Sequence, residues 1–285
     1  MNVPSGRAYR VPPGIAAVAP AVLAWSLLFA APLLYFLVIS FWSVRARIMR
    51  PDLTARNYVA TLTEYGDVLV QTLFVGIVIA VVTTLTAYMF AFAIRFRAGR
   101  WANALLLLTL VTLFGGYLVK IYAWKSILGR EGILNGILMW TGIIDEPLTL
   151  FIYSANGVVI TLAYFLLPFA ILPIYGNMRA IPDSLLEAAR DLGASNFRAA
   201  RDVVLPLSER GISVAFLLTF LISVGDYVTP RFVGGGTSMM GHFIETQFSF
   251  GFNWPMGSAM SFTLMACSLA VFALCRSVLR TLVLP

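Results

Sequence analysis

Two adjacent side chains at the end of an apolar run, Asp226 and Tyr227, could bind a ligand directly. A carboxylate next to an aromatic ring is a combination that binds an alkylammonium group, through an ion pair and a cation–π contact. Ionisable residues within or beside long apolar runs are energetically expensive, which favours a functional role. The structural alternative is that Asp226 caps a helix or makes a hydrogen bond between helices. The sequence leaves both interpretations open.

Two lysines, Lys120 and Lys125, lie within another apolar run, where their charge would repel a cationic ligand. We therefore expect Lys120 to have a structural or gating role, either by neutralising Asp226 or by extending its ammonium group outward to water. Tyr117 and Trp124 flank these lysines. Such aromatic residues line a substrate pathway or belong to the aromatic belt at a membrane interface. Together with Asp226 and Tyr227, they form the candidate substrate pathway or gate.

The sequence lacks the residue patterns of a metal site or a nucleotide-binding enzyme. It contains one histidine, two cysteines and no cluster of carboxylates, so a metal centre is not expected. Cys267 and Cys275 lie in one apolar run at a separation of about 12 Å along a helix, which is too far for a disulfide. No G-x4-G-K-[ST] phosphate-binding loop is present, so the sequence predicts no nucleotide site of that type in this chain.

The composition is that of a membrane protein. Of the 285 residues, 60% are hydrophobic and 12% are charged, and the mean hydropathy is +0.87. Such a composition places the chain in a lipid bilayer. The net charge of +7 is spread thinly along the chain. It therefore predicts no nucleic-acid partner and fits basic loops that face anionic membrane lipid.

Six apolar runs are long enough to cross a membrane, since a transmembrane helix needs roughly 20 predominantly apolar residues. They cover residues 15–42, 68–94, 102–128, 154–177, 211–230 and 256–279. We therefore predict an all-α integral membrane protein with about six transmembrane helices in a single domain over 15–285. The first run is longer than the roughly 7 to 15 residues of a signal-peptide core, so we expect it to remain as a membrane anchor.

The arginines indicate how the chain is oriented, because cytoplasmic loops carry an excess of Lys and Arg. More arginines fall in the inner segments than in the outer ones if the N-terminus is cytoplasmic. We therefore predict that both termini are cytoplasmic, that residues 1–14 form a cytoplasmic tail and that the loop 178–209 faces the cytoplasm. Pro168 and Pro173 in the fourth run and the Gly115-Gly116 pair in the third predict local bends.

The charged part of this inner loop predicts two short helices separated by a turn. Ser184, followed three positions later by a glutamate, has the spacing of a capping box that starts a helix. Gly193 suits the C-terminal cap of that helix. Ser195 or Asn196 suits the N-terminal cap of a second helix, which Pro206 is expected to end. On charge pattern alone, such a pair could lie on lipid headgroups or bind a partner protein.

The spacing of residues in this loop matches a motif. The pattern EAA-x3-G-x9-I-x-LP fits at Glu187, Ala188, Ala189, Gly193, Val203, Leu205 and Pro206, with Val203 replacing the usual Ile. This pattern resembles the signature of permease subunits of binding-protein-dependent ABC importers of type I. The resemblance implies that the loop is a coupling helix that inserts into a groove on a cytosolic ATPase, where Glu187 makes a polar contact.

Three further segments, 118–144, 225–235 and 253–261, resemble the first of the two permease subunits of spermidine/putrescine importers. The resemblance implies the permease fold of a type I importer, with cytoplasmic coupling helices, in the inner membrane of a bacterium. It also implies the partners: a second homologous permease subunit, two cytosolic ATPase subunits that bind ATP and Mg, and an extracytoplasmic solute-binding protein. More distant relatives carry opines, phosphonates, ferric iron or thiamine, which are the alternatives to a polyamine.

Polar residues in the outer segments are candidates for contact with the solute-binding protein that the resemblance implies. Arg130 and Glu131 lie in a short turn sequence, GREG. Glu245 lies between the last two apolar runs, where it would contact the docked binding protein or the ligand that this protein releases. The alternative for Glu245 is a solvated loop position without a specific role.

A secondary transporter driven by an ion gradient is the competing class of protein. Such folds often show inverted repeats and buried acid relays, and neither is detected in this sequence. A membrane-embedded enzyme ranks last, because the sequence has no constellation of His, Cys and carboxylate residues.

Overall fold

The computed structural model describes residues 13–237 and 239–283, and nearly all of their regular structure is helical. The helices are α1 (Pro13–Trp25), α2 (Ala31–Ile39), α3 (Arg56–Glu64), α4 (Gly66–Phe96), α5 (Ala102–Leu113), α6 (Tyr117–Leu128), α7 (Ile133–Trp140), α8 (Ala155–Arg179), α9 (Asp183–Asp191), α10 (Asn196–Ala199), α11 (Leu205–Leu207), α12 (Glu209–Gly225), α13 (Val228–Val233), α14 (Met240–Ser249) and α15 (Trp254–Val283). Of the predicted tail 1–14, residues 1–12 lie outside the described ranges, and α1 begins at Pro13.

Four helical segments are long and apolar enough to cross a membrane. They are Val18–Ile39, which includes a π-helical turn at Ser26–Ala30, and Gly66–Phe96, Ala155–Arg179 and Trp254–Val278. Two pairs of shorter helices pass the same test of length and composition together, but each pair is bent at a break. If each bent pair counts as one span, the total is the predicted 6. The helical fold class is therefore confirmed, although two spans are broken.

The core lies where α4, α8 and α12 pack against one another. Ile79, Leu162 and Phe220, one from each helix, are fully buried there. A glycine permits the close approach of α12 to α8, since a Cβ at Gly211 would lie 2.8 Å from the carbonyl oxygen of Pro173. Small residues at such crossings let membrane helices pack closely. These three helices form the frame that carries the loops at both ends.

The third predicted span, 102–128, is a broken helix. α5 ends at Leu113, and α6 begins after Gly116, whose ψ of 137° is not helical. The two helical arms differ in direction by 100°. The opening predicted at the Gly115-Gly116 pair is confirmed. By contrast, α8 runs through both of its internal prolines without interruption.

The predicted stop of the second loop helix at Pro206 is wrong. α10, a π-helical turn over Ala200–Val204 and α11 follow one another without a break, and this helical run ends at Leu207. Pro206 lies two residues after the π-helical turn, and the run ends one residue beyond it. The chain instead changes direction at Ser208, where the run meets α12 at a bend of 66°.

The predicted fifth span, 211–230, is too long at its C-terminal end. α12 ends at Gly225, because Asp226 has an extended backbone with φ −76° and ψ 129°. A separate short helix, α13, then begins at Val228. The change of conformation at Asp226 places its carboxylate at the start of α13 and away from the end of a continuous span.

A short β-hairpin in the first outer segment was not predicted. Its strands, β1 (Ser43–Arg45) and β2 (Ile48–Arg50), are antiparallel. The two residues between them, Ala46 and Arg47, have φ values of 51° and 62°. Positive φ at both turn residues is the geometry of the tight turns that match strand twist, although glycine and asparagine are the usual residues there. Neither glycine nor asparagine stands at positions 46 and 47, so the sequence did not indicate a turn there.

Candidate functional site

The first helix of the inner loop, α9, begins earlier than the capping box predicted. Its N-cap residue is Pro182, and no side chain caps the helix. Ser184 therefore lies inside the first turn, and the predicted Ser184 capping box is wrong. Asp183 supplies the negative charge that the N-terminus of a helix favours, and it also forms an ion pair with Arg95.

The end of α9 is closed by Gly193, as predicted. Gly193 has φ +84°, in the left-handed region. Its N–H donates to the carbonyl of Arg190 at 2.8 Å, and the N–H of Ala194 donates to the carbonyl of Ala189 at 2.9 Å. This pair of bonds is the Schellman motif that ends many helices. The next helix, α10, is capped by Ser195, whose Oγ accepts the N–H of Arg198 at 3.3 Å.

The inner loop presents apolar side chains to its surroundings. We define the exposed loop surface as Leu185, Ala188, Leu192 and Phe197, all of which are exposed, Leu192 by 90% and Phe197 by 75%. The buried residue of α9 is instead Leu186, which packs in a core cluster with Met178 and Val204. Leu185, Ala188 and Leu192 therefore lie on a different face of α9 from the one that packs in the core. Exposed apolar surface of this kind marks an interaction site.

The two halves of the sequence motif face different surroundings. Glu187 and Ala188, in the first half, are exposed, and Ala189 is half-buried. Val203, Leu205 and Pro206, in the second half, are all half-buried. Leu205 packs against the same core cluster as Leu186. The second half thus ties the loop to the helices of the core, and the first half stays free for contact.

A guanidinium that the sequence analysis missed connects α4 to the inner loop. Nη2 of Arg95, in the last turn of α4, donates to Asp183 Oδ1 at 2.7 Å and to the carbonyl of Ile181 at 3.2 Å. The same guanidinium lies over the Phe96 ring, 4.8 Å from its centroid. The only sequence signal for Arg95 was a basic residue in the last turn of an apolar helix. Arg95 and Glu187 both border a cavity of about 510 Å³ beneath the loop.

At the opposite end of α12 from the loop, Asp226 is held by the chain itself. Its carboxylate accepts the N–H groups of Val228 at 3.2 Å and Thr229 at 3.1 Å. It also accepts the hydroxyl of Tyr117 from α6 at 2.7 Å, and Tyr117 is in turn 2.7 Å from Thr229 Oγ1. Asp226 therefore caps α13 and joins it to α6, which is the structural alternative considered from the sequence. Tyr227 points elsewhere and is 40% exposed.

The predicted pairing of Lys120 with Asp226 is wrong: within 13–237 and 239–283 no ion pair joins them. Lys120 Nζ donates to the carbonyl of Thr112 and lies 5.1 Å from the centroid of the Phe165 ring. The carbonyls of the last helical turn have no intrahelical partner, and the C-terminus of a helix attracts a cation. The break after α5 thus supplies a closer acceptor for Lys120 than Asp226.

Trp124, Arg130 and Glu131, which were also predicted to have a role, do not contact Asp226. Trp124 packs edge-on against Tyr164 of α8, with ring centroids 5.4 Å apart. Arg130 and Glu131 are exposed in the turn between α6 and α7, where they were predicted. The turn is held by Asn135, which the sequence analysis missed. This side chain is 2% exposed and donates to the carbonyls of Gly129 at 2.9 Å and Leu148 at 3.0 Å.

Glu245 lies on α14, in the wall of a cavity of about 710 Å³ that is also bordered by Tyr227. Glu245 is half-buried, so it is not a solvated loop residue. Its Oε1 accepts the hydroxyl of Ser249 at 2.9 Å. The structure therefore brings Tyr227 together with Glu245 and brings Asp226 together with Tyr117. The predicted outer residues form two separate groups.

Comparison with known proteins identifies the class of this chain. The family described as binding-protein-dependent transport system inner membrane component matches residues 93–285. The spermidine/putrescine transport system permease protein PotB of Escherichia coli (strain K12) is 33% identical over 221 residues, which cover 77% of this chain and 80% of PotB. The permease protein PotC of the same system and strain is 38% identical over 71 residues, 25% of this chain and 27% of PotC.

A solved structure shares the fold. It is a bacterial alginate ABC transporter in complex with an alginate pentasaccharide-bound periplasmic protein. The match is 13% identical, has a TM-score of 0.68 and covers 93% of this chain and 92% of that chain. The chain belongs to the family of inner membrane components of binding-protein-dependent transport systems. It is a multi-pass ABC importer permease of the inner membrane, and it is not an enzyme, because the ATPase of such transporters is a separate subunit.

Proposed function

We propose that this permease carries a polyamine such as spermidine or putrescine into the cell. The observation that supports the substrate is the likeness to PotB over 77% of the chain. An opine, a phosphonate, ferric iron or thiamine is the alternative cargo. Membership of this family argues against a transporter driven by an ion gradient, which was the competing class of protein.

The permease works with three kinds of partner in this proposal. A second homologous permease subunit completes the membrane unit, as the matches to both PotB and PotC support. Two ATPase subunits bind ATP and Mg in the cytosol, and an extracytoplasmic solute-binding protein delivers the cargo. Both termini of the permease lie in the cytoplasm, which places the loop 178–209 on the ATPase side and the turn with Arg130 and Glu131 on the side of the binding protein.

The exposed loop surface docks onto the ATPase. Leu192 and Phe197 are apolar and exposed, and Glu187 beside them supplies a polar contact. An amphipathic helix that lays its apolar face into a groove is a common mode of protein recognition. When ATP closes the two ATPase subunits, the loop moves with them and biases the permease helices between inward-open and outward-open states.

Reconstitution into proteoliposomes tests the proposal. The permease is combined with its candidate second permease, ATPase and binding protein, and uptake of labelled spermidine is measured. We expect uptake to require ATP and the binding protein, both of which can be omitted in turn as controls. Uptake of thiamine or an opine in place of spermidine would contradict the proposal that the substrate is a polyamine. Uptake driven by an ion gradient in the permease alone would contradict the whole assignment.

A further inference from the structure

The cavity beside Glu245 combines an apolar wall with a few polar groups. It has a volume of about 710 Å³ and lies among α12, α14 and α15. Leu221, Ile244 and Phe248 contribute apolar side chains, and the polar groups include Tyr227 and Glu245. Small-ligand pockets usually have volumes of roughly 300–1,000 Å³ and this kind of lining. The cavity is therefore of a size and chemistry suited to a small organic ligand.

Two polar groups in this wall lack partners within the part of the chain that the structure describes. Oε2 of Glu245 is buried and accepts no hydrogen bond there, and Ser268 Oγ, on a residue that is 1% exposed, has none either. No lysine or arginine lines the cavity. A buried carboxylate without a cation is costly, and the cost is greater in the low dielectric of a membrane protein. A cationic ligand would remove this cost.

Asp226 is a poorer ligand group than Glu245, although the sequence drew attention to Asp226 first. The carboxylate of Asp226 already accepts two backbone N–H groups and the hydroxyl of Tyr117. Glu245 accepts a single side-chain hydrogen bond, from Ser249. A ligand amine can therefore bind Glu245 without breaking the cap of α13. Tyr227, in the same cavity wall, adds the aromatic ring that favours an alkylammonium group.

We propose that this cavity binds an alkylammonium ligand, with a protonated amine at Glu245 and the aliphatic chain along the apolar wall. Tyr227 contacts the cation through its ring, and Ser268 offers a hydroxyl to a further amine. The inference rests on the proposed function and refines it, because a polyamine has protonated amines separated by methylene groups. Glu245 is then a substrate-binding residue of the pathway, and it does not contact the docked binding protein.

The first experiment changes the charge of Glu245 in the complete reconstituted transporter. We expect Glu245→Gln to lower spermidine uptake by at least about tenfold, because loss of one partner from a buried ion pair has effects of that size. Stimulation of ATP hydrolysis by the loaded binding protein should keep its normal concentration dependence. Glu245→Asp should recover part of the uptake. Glu64→Gln, at an exposed acid on α3, is the control with the same loss of charge.

The possible results of this experiment separate the proposed function from the inference about the cavity. If the unmodified transporter does not carry spermidine, the proposed function fails, and this inference fails with it. If it carries spermidine and Glu245→Gln behaves like Glu64→Gln, the inference alone fails. If Glu245→Gln shifts the concentration of binding protein needed for stimulation, Glu245 is a docking contact, which also overturns the inference.

A second pair of variants covers the case in which Glu245→Gln does not assemble. Met265, on α15, lines the same cavity, so a side chain introduced there borders the space beside Glu245. We expect Met265→Lys to lower spermidine uptake several-fold, because its ammonium group would occupy the position of the substrate amine near Glu245. Met265→Gln, of similar length and without charge, should keep near-normal uptake. Equal uptake by the two variants would contradict a cation site in this cavity.

Discussion

Gly193 adopts a backbone conformation that residues with a side chain seldom adopt, with φ +84°. A Cβ built at Gly193 meets no atom within 4 Å, so substitution there alters the backbone without crowding a neighbour. The geometry of the turn between α9 and α10 can therefore be tested separately from packing.

We expect Gly193→Val to distort this turn and lower solute uptake per ATP hydrolysed. The left-handed region costs a residue with a Cβ roughly 1–2 kcal/mol, and β-branched residues fit it least. Gly193→Asn is the matched control, because asparagine tolerates this region. Uptake and ATP hydrolysis are measured on the same reconstituted preparation. Equal coupling in the two variants would show that the turn geometry is not needed.

The individual residues show what the sequence could and could not predict. The glycine cap at Gly193 depends on local chain geometry, so it was predicted correctly. The partner of Asp226 was not, because Tyr117 is 109 positions away and reaches it only after the chain breaks between α5 and α6. Glu245 was placed in a loop, either solvated or in contact with the docked binding protein or its released ligand, since no local pattern indicated that α14 packs against α15.

At the scale of elements, Arg95 links the end of α4 to the start of α9. One guanidinium nitrogen reaches both Asp183 and the carbonyl of Ile181, and the Arg95 side chain is 20% exposed. A partly exposed ion pair contributes only about 0.2–1 kcal/mol to stability. The link is therefore better suited to holding the loop in a fixed direction than to stabilising the fold.

We expect Arg95→Met to leave the permease folded and to reduce the number of solute molecules carried per ATP hydrolysed. The loop would no longer move together with α4, while the exposed loop surface would still bind the ATPase. Asp183→Asn should have a similar effect, and the double variant should add little, because the two residues share one interaction. Arg100→Met, at an exposed arginine past the end of α4, is the control.

Transport and ATP hydrolysis are measured in parallel for these variants. Additive effects of the two single substitutions would show that Arg95 and Asp183 act independently, against the proposed link. An unchanged ratio of transport to hydrolysis in Arg95→Met would show that the link has no part in coupling.

The breaks between elements were harder to predict than the elements. The Gly115-Gly116 pair indicated an opening but not its 100° angle, which depends on how α6 packs against α8 and α13. Pro206 suggested a stop, yet the helical run continues one residue further, to Leu207, and the chain turns only at Ser208. Asp226 was predicted to end a span, although its carboxylate accepts the first N–H groups of the next helix, α13.

At the scale of the whole molecule, the described residues leave several apolar surfaces uncovered, and two of them bear on how the subunit is assembled. One is the first span, where Leu28 is 80% exposed, as expected of a helix that faces lipid or another subunit. The other is the exposed loop surface at the inner end. The number and apolar character of the spans followed from composition, whereas these surfaces could be located only from the packing of the complete chain.

We expect the double variant Leu192→Ser and Phe197→Ser to release the ATPase without destabilising the permease. Both side chains are largely exposed, so they contribute little to internal packing. Co-purification of the ATPase and the Tm of the isolated permease measure the two effects. Leu186→Ser, at a residue that is 7% exposed, is the contrast and should lower the Tm. A lowered Tm in the double variant would mean that the loop surface packs within its own chain.

The π-helical turn at Ala200–Val204 adds a residue to the helical run that joins the loop to α12. Successive residues of an α-helix are rotated by about 100° around its axis. Without this extra residue, the run could continue as a regular α-helix. Phe197 would then be rotated by about 100° around the helix axis relative to Val204, which is buried in the core. The fixed spacing between Gly193 and Val203 therefore sets an orientation as well as a length. It determines the direction in which the exposed loop surface faces.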